Sequence, residues 1–484
     1  MTIKDLEPKE LWGNFYSLTQ CPRPSKHEEV VREFLVKWAA DHKIDCRVDK
    51  VGNVIMSKPA TKGMEKVCPV VLQAHMDMVP QARAGKEFDF HTMPIETKIV
   101  DGWVYACDTT LGADNGLGVA AAMAVLESNT IKHGPLEVLI TTDEETGMTG
   151  AFGLKPNELK GKYLLNLDSE TEGELYVGCA GGIDATMQIP YTTEPTPKDY
   201  CAVKLTIGGL LGGHSGMEIN SGRTNANKLM FRMLRWVADC GIRIISIEGG
   251  NMRNAIPRDA ECVFAMPKAH KDCILKEFDK VYNWIKKEIA TPEPGFKYSV
   301  ESVRITRNVM CEADTQKIIN MMMVAPNGVQ RMSNDMEDLV ETSLNLAICK
   351  TTPKFFTVKA LIRSSVDTAK DALAERLVCL AEMCGGKCFL SGAYPGWKPN
   401  MQSGLLKSMK ETYKRLYNKE PKVMAIHAGL ECGLLGGKYP EMEMISFGPT
   451  LNSPHSPDER ANIASCEKFF EYLIAALASM PEMK

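Results

Sequence analysis

At 484 residues the chain is too long for one ordinary hydrophobic core, so two domains are expected. Its 44% hydrophobic and 24% charged residues describe a soluble globular protein, and a net charge of −4 excludes the basic footprint of a nucleic-acid binder. No apolar run is long enough to span a bilayer, the basic residues form no polybasic block, and the start, Thr2-Ile-Lys-Asp-Leu-Glu7, lacks the apolar core of a secretory signal. The 16 cysteines are spread singly, and the pair Cys384 and Cys388 flanks Gly-Gly-Lys without forming C-x-x-C. That spacing predicts reduced thiols in a cytoplasmic protein and no cysteine zinc knuckle.

In chain order, Ser25-Lys-His-Glu28 reads as a capping box ahead of a helix carrying Val30, Val31, Phe34, Leu35 and Trp38. The apolar runs 67–74, 136–141 and 163–167 suit strands buried on both faces, and the alanine-rich stretch 116–126 between them reads as a helix. After Gly178-Cys-Ala-Gly-Gly182 the pattern changes. The segments 202–207 and 261–265 alternate like half-buried strands, amphipathic helices are expected at 226–240 and 271–289, and a further strand–helix group covers 313–390. These two portions have the look of a loose repeat, without a residue-level match. The tail returns to the first pattern, with a helix at 405–417, a buried strand at 444–447 and a closing helix at 463–478. The expected fold is α/β: a catalytic domain with a largely parallel central sheet covered by helices on both faces, interrupted by an inserted α+β lid. The catalytic domain takes residues 1–183 and 398–484, and the lid takes 184–397.

Five separated motifs carry the chemistry: His75-Met-Asp77, Asp114-Asn-Gly-Leu-Gly118, Thr142-Asp-Glu-Glu145, Leu167-Asp168 and Pro454-His455. In open α/β sheets ligands bind beyond the carboxyl ends of the strands, where these residues are expected to converge. Histidine with carboxylate is the ligand set of a hydrolytic dimetal site, and a spare glutamate beside a ligand glutamate supplies a base. Each motif also has a plainer reading. His75 and Asp77 alone suit any surface, although an Asp two residues on can fix an imidazole tautomer. Asp114 suits a helix N-cap, although Gly112, Gly116 and Gly118 around it invite close approach of backbone and metal. The acids 143–145 suit a solvated turn, although their mutual repulsion behind an apolar strand calls for a cation. The charges balance: two divalent ions carry four positive charges, and Asp114, Glu145, Asp168 and a hydroxide carry four negative ones.

With these motifs on the page, the chain resembles the dizinc metallopeptidase family of carboxypeptidase G, aminoacylases, carnosinases and peptidase T, and within it the Xaa-His dipeptidase branch. The resemblance runs nearly end to end. It includes Gln73-Ala-His-Met-Asp-Met-Val-Pro80, Thr110-Leu-Gly-Ala-Asp-Asn-Gly116, Gly212-Gly-His-Ser-Gly216, Arg253-Asn-Ala-Ile-Pro-Arg258, Gly392-Ala-Tyr-Pro-Gly-Trp397 and His427-Ala-Gly-Leu-Glu-Cys-Gly433. It implies hydrolysis of dipeptides, Xaa-His by preference, by a water held between two Zn2+ ions, with Mn2+ or Co2+ as substitutes. It implies that His75, Asp114 and Asp168 hold one metal and Asp114, Glu145 and His455 the other. Glu144 would be the general base, Asp77 would orient His75, and His214 would stabilise the oxyanion. Arg363 would grip the substrate carboxylate, with Asn254 and Gly429 as further substrate contacts. From the residues alone, His214 suits a glycine-rich loop, Arg363 a surface cation, and His427 with Glu431 a structural hydrogen-bonded pair. Small-lid relatives dimerise through their lids, so a homodimer is one expected state and a single chain with its larger lid the other. The rival activities are those of a tripeptidase or an N-acyl amino acid deacylase of the same family. A metal-binding protein without catalysis is the rival class, and it has no use for Glu144.

Overall fold

The computed structural model describes residues 2–305 and 307–483; Met1, Thr306 and Lys484 lie outside the described residues. The chain divides into two compact units: Met1–Cys179 with Trp397–Ala425 and Leu430–Lys484, and Ala180–Gly396 with Ile426–Gly429. Among the described residues no helix is long and apolar enough to cross a membrane.

The first unit is built on an eight-stranded sheet. Its strands are β1 (Asp45–Val48), β2 (Val54–Lys58), β3 (Val70–His75), β4 (Leu136–Thr141), β5 (Tyr163–Asn166), β6 (Glu174–Cys179), β7 (Lys422–Ile426) and β8 (Glu443–Ser446), in the order β1-β2-β4-β3-β5-β8-β6-β7. The sheet is mixed. β4, β3, β5 and β8 run parallel to one another, whereas β1, β2 and β6 pair antiparallel. The uninterrupted apolar runs form the parallel middle, and every residue of β3 and β5 is buried, as a sheet covered on both faces demands. The antiparallel start comes from a tight turn between β1 and β2, where the Asp49 carboxylate accepts the backbone N–H groups of Val51, Gly52 and Asn53 at 2.9–3.0 Å.

Helix Ala113–Glu127 has no polar face, is buried almost throughout, and packs against both β3 and the helix Lys9–Thr19. The early helix runs Glu29–Asp41 and buries Val31, Leu35 and Trp38, whereas Val30 is exposed. Its expected capping box does not form. The Ser25 hydroxyl lies 3.3 Å from the Met78 carbonyl, and the Glu28 carboxylate accepts the Lys26 N–H at 2.7 Å, so Glu28 itself ends up at the helix boundary.

The second unit carries a nine-stranded antiparallel sheet. Strands Tyr200–Gly208, Arg243–Gly249, Ala260–Pro267 and Lys297–Val303, with helices Ala226–Val237 and Lys271–Glu288, form one βαββαβ half. Strands Gly181–Pro190, Val340–Thr351, Phe355–Ser364 and Lys387–Tyr394, with helices Glu312–Val324 and Asp367–Met383, form another. Each half has the spatial order 4-1-3-2, and the two meet through their second strands at Glu248↔Lys350 and Gly249↔Cys349. The repeat that has no residue-level trace in the sequence is therefore a repeat of topology. One apolar core joins all four helices to the sheet, with Phe231, Phe278, Ile318 and Leu377 against Phe264, Phe356 and Ile189.

Candidate active site

Strands β4, β3 and β5 are adjacent and parallel, so their carboxyl ends share one edge of the first unit's sheet. His75 is the last residue of β3, Glu144 and Glu145 follow β4 by three and four residues, and Asp168 follows β5 by two. His455 arrives differently from expectation. It lies on the loop between the short strands Leu451–Asn452 and Arg460–Asn462 of a separate four-stranded sheet, in a left-handed conformation (φ 59°). The same loop carries Glu459. Its buried carboxylate accepts the backbone N–H groups of Leu111, Gly112, Ala113 and Asp114 at 2.7–3.2 Å, which fixes the segment that presents Asp114.

The side chains meet around Asp114. His75 Nε2 lies 3.1 Å from Asp114 Oδ1 and 3.2 Å from Asp168 Oδ1; His455 Nε2 lies 3.1 Å from Asp114 Oδ2 and 2.9 Å from Glu145 Oε2. On the far side of its ring, His75 Nδ1 lies 3.2 Å from the Asp77 carbonyl and 3.3 Å from its carboxylate, so it donates in that direction. The Asp77 carboxylate also accepts the backbone N–H groups of Glu144 (3.0 Å) and Glu145 (3.3 Å). Burial opposes its charge, but these donors hold its pKa down at about 2.

With the Nδ1 proton given to Asp77, the Nε2 lone pair of a neutral His75 points at carboxylate oxygens. That contact calls for a proton or a metal cation between them: without a metal, and against the effect of burial, the carboxylates push His75 well above its ordinary 6.5, and Asp114 with Glu145 pushes His455 up to about 11. Burial, then the charges of neighbouring carboxylates, pushes Asp168 up to about 7, and burial sets Glu144 well above the ordinary glutamate range. Glu145 Oε1 and Asp168 Oδ1 are buried without a hydrogen-bond partner. Two donors bound to zinc at ~2.0–2.2 Å in tetrahedral geometry lie roughly 3.3–3.5 Å apart, close to the spacings here. His75, Asp114 and Glu145 bring ligand atoms within 4.8 Å of one another, and the site fits a divalent cation in donor type, spacing and orphaned oxygens.

The Asp143 carboxylate accepts the hydroxyls of Thr146 and Thr149 and lies in a second acidic group with Glu28 and Asp77. One expectation about this site changes. The glycines around Asp114 serve protein packing. A Cβ at Gly112 would lie 2.6 Å from the Arg23 guanidinium, one at Gly116 the same distance from it, and one at Gly118 only 2.4 Å from the Asn115 side-chain oxygen. Arg23 is fully buried, donates to the Met76, Asp77 and Gly112 carbonyls, and thereby ties the His75 loop to the Asp114 loop.

The second unit gathers His214, Asn254, Arg363 and the segment containing Gly429. His214 Nδ1 accepts the backbone N–H groups of Gly216 (3.2 Å) and Met217 (3.0 Å), so the neutral ring carries its proton on Nε2. Burial, then the nearby Arg363, lowers its pKa and favours that neutral form. The Ser215 N–H donates to the Asn254 carbonyl at 2.8 Å, and Gly216 lies so close to the His427 carbonyl that a Cβ there would approach it to 2.1 Å. Arg363 is only 6% exposed, which removes the surface-cation reading. It donates at 3.3–3.4 Å to Tyr394 and Ser215 hydroxyls, and among the described residues it has no carboxylate partner. The expected His427–Glu431 pair does not form. His427 Nε2 lies 2.7 Å from the Ser343 hydroxyl, whereas Glu431 belongs to the first unit and accepts from Gln73 and Thr141.

Sequence reasoning passed over Arg23, Glu459, Gln73 and Asn166. The last two had a signal, since each is a polar residue inside an apolar strand, two positions before a site residue. Arg23 and Glu459 had none, because their partners are backbone groups far along the chain.

A family model described as peptidase family M20/M25/M40 matches residues 71–479. The chain is 44% identical over 481 residues to the cytosol non-specific dipeptidase of Escherichia coli (strain K12), covering 99% of each. It is similar to the crystal structure of aminoacylhistidine dipeptidase from Vibrio alginolyticus, with TM-score 0.96 and 45% identity over 100% of this chain and 99% of that one. Aminopeptidase PepT from Bacillus cereus ATCC 10987 shares the fold, with TM-score 0.56 and 16% identity over 98% and 99% of the two chains.

Proposed function

The chain belongs to peptidase family M20/M25/M40, and from that premise we propose that it is a metal-dependent dipeptidase with a preference for Xaa-His substrates. One observation carries the reading: the two oxygens of Asp114 each face a different imidazole Nε2 at 3.1 Å, and each imidazole also faces a second carboxylate. The two relatives at 44–45% identity, one named a non-specific dipeptidase and the other an aminoacylhistidine dipeptidase, support the substrate class. The cytosol in the first name supports a cytoplasmic location.

In this reading His75, Asp114 and Asp168 hold one cation, and Asp114, Glu145 and His455 hold the other. Zinc is the proposed metal, and manganese and cobalt accept the same nitrogen and oxygen donors. When bound, the cations supply Lewis acidity at the scissile carbonyl and bring the pKa of a water toward ~7. Glu144, which makes none of the ligand contacts above, takes the proton of the attacking water and returns it to the leaving amine. Its burial raises its affinity for that proton. Asp77 holds the His75 ring by Nδ1, and the same carboxylate pins the backbone of Glu144 and Glu145, so base and ligands share one anchor. His214 offers its Nε2–H to the developing oxyanion. The guanidinium of Arg363, which has no carboxylate partner among the described residues, takes the substrate's terminal carboxylate, while Asn254 and Gly429 contact the rest of the dipeptide.

The test is a substrate panel with metal analysis of the purified protein. Xaa-His dipeptides, other dipeptides, tripeptides and N-acetyl amino acids are supplied with zinc, manganese or cobalt. The expected result is cleavage of dipeptides, fastest for Xaa-His. Turnover confined to tripeptides or acyl amino acids would move the substrate class, and no cleavage with metal bound would end the catalytic reading.

A further inference from the structure

Beneath the metal-facing residues lies a buried polar tier that the catalytic reading does not use. Gln73 on β3 and Asn166 on β5 are each two residues before a ligand, His75 and Asp168, and Thr141 on β4 is three residues before Glu144. Along a strand, residues two apart share a face, so Gln73 sits one step below His75. Gln73, Thr141 and Asn166 are at most 1% exposed. They belong to three adjacent parallel strands and are joined by side-chain hydrogen bonds. The Asn166 amide donates to the Gln73 carbonyl oxygen, the Gln73 amide donates to Glu431 at 2.6 Å, and the Thr141 hydroxyl lies 2.8 Å from the same Glu431 oxygen.

Glu431 is 1% exposed and begins the helix Glu431–Lys438. It comes from far down the chain to close a network otherwise made by strand residues. An acid in this position costs several kcal/mol unless something specific needs it. Its Oε1 is buried without a hydrogen-bond partner. Burial pushes its pKa up to about 8, so the charged form is costly here.

We propose that Glu431 is a positioning residue for the dimetal centre: through Gln73, Asn166 and Thr141 its carboxyl fixes the strand ends that present His75, Asp168 and the Glu144–Glu145 pair. This rests on the proposed reading of those residues as metal ligands and base. Glu431 acts at one remove and contacts neither substrate nor cation. Groups hydrogen-bonded directly to a metal ligand typically change metal affinity by 10–100-fold when removed, which sets the upper range for a residue one step further back.

The experiment compares wild-type protein with Glu431→Ala, Glu431→Gln and Thr141→Val. Zinc affinity is measured by chelator competition, kcat and KM on a cleaved dipeptide, and the melting temperature of the zinc-free protein. Glu431→Ala should weaken zinc binding by about tenfold and lower kcat with little change in KM. Glu431→Gln, which keeps an acceptor oxygen for Gln73 and Thr141, should restore most of both. Thr141→Val removes one bond without emptying the site and should give a smaller loss of the same kind, which keeps the test open if Glu431→Ala does not fold. Zinc affinity and kcat left at wild-type values in Thr141→Val and Glu431→Gln, with only the melting temperature lowered in any variant, would overturn the inference. Equal loss in Glu431→Gln and Glu431→Ala would overturn it too, because a lost acceptor would not be the cause. Wild-type protein that neither binds zinc nor cleaves dipeptides would instead overturn the proposed function beneath it.

Discussion

The two units gather their polar residues in opposite ways. In the first, acids and imidazoles crowd together at the ends of parallel strands, with Glu145 Oε1 buried and without a hydrogen-bond partner. In the second, a neutral histidine and a buried arginine have hydroxyls and backbone groups as partners, and among the described residues the guanidinium has no carboxylate partner. The first is a set of donors suited to cations, and the second, in the proposed reading, offers a cation to the substrate's terminal carboxylate.

Removal of metal should have the largest effect. Chelation is expected to bring dipeptide cleavage to background and to lower the melting temperature, with both restored by zinc, manganese or cobalt. Each site loses about 4 kcal/mol of stabilisation relative to a thousandfold excess of free metal over its Kd. Unchanged activity after verified removal would break the comparison at its first half. Next comes Glu144→Ala, expected to lower kcat by about 10²–10⁴-fold while two metal ions per chain remain by elemental analysis. Near-normal turnover by this variant would remove Glu144 as base.

Arg363→Ala sharpens the second half. Loss of a charge-assisted pair worth about 1.5–3 kcal/mol should raise KM for dipeptides by roughly ten- to a hundredfold, with metal content unchanged. An unchanged KM would leave its buried guanidinium without the proposed anion. The smallest effect concerns pH. Burial, then the nearby Arg363, holds His427 down at about 3, far below the ordinary 6.5. Between those values the unfolded chain binds a proton that the folded chain does not, so stability rises with pH and falls as pH drops from about 6.5 toward 3. His427→Gln should flatten part of that slope in urea titrations at a series of pH values, and an unaltered slope would show that His427 does not contribute.

The sequence made the first unit more legible than the second, for a physical reason. A parallel strand buried on both faces leaves an apolar run, and a ligand placed just after it stands out against that background, as His75, Glu145 and Asp168 do. The mixed character of the sheet was harder to read, because β1 is short and mostly exposed and the reversal into β2 is set by the Asp49 turn. His455 was found by its motif, but the small sheet that presents it depends on strands of two and three residues with no periodicity to detect. Arg23 and Glu459 act on backbone N–H and carbonyl groups, which every residue has, so nothing in their local sequence marks them. In the second unit His214 and Arg363 were recognisable by resemblance, whereas the partners that set tautomer and burial, Ser215, Gly216 and Tyr394, come together only through folding.

The loop between Asn452 and Arg460 delivers both His455 and the carboxylate that clamps the backbone at Asp114. During synthesis, His75, Asp114, Glu145 and Asp168 leave the ribosome some three hundred residues before this loop does. Until it arrives, the nascent protein holds an acidic half-site whose central aspartate lacks its anchor. In the proposed reading the centre is completed only once this loop has been made, and a product stalled before it would be silent as an enzyme however well its first strands had formed.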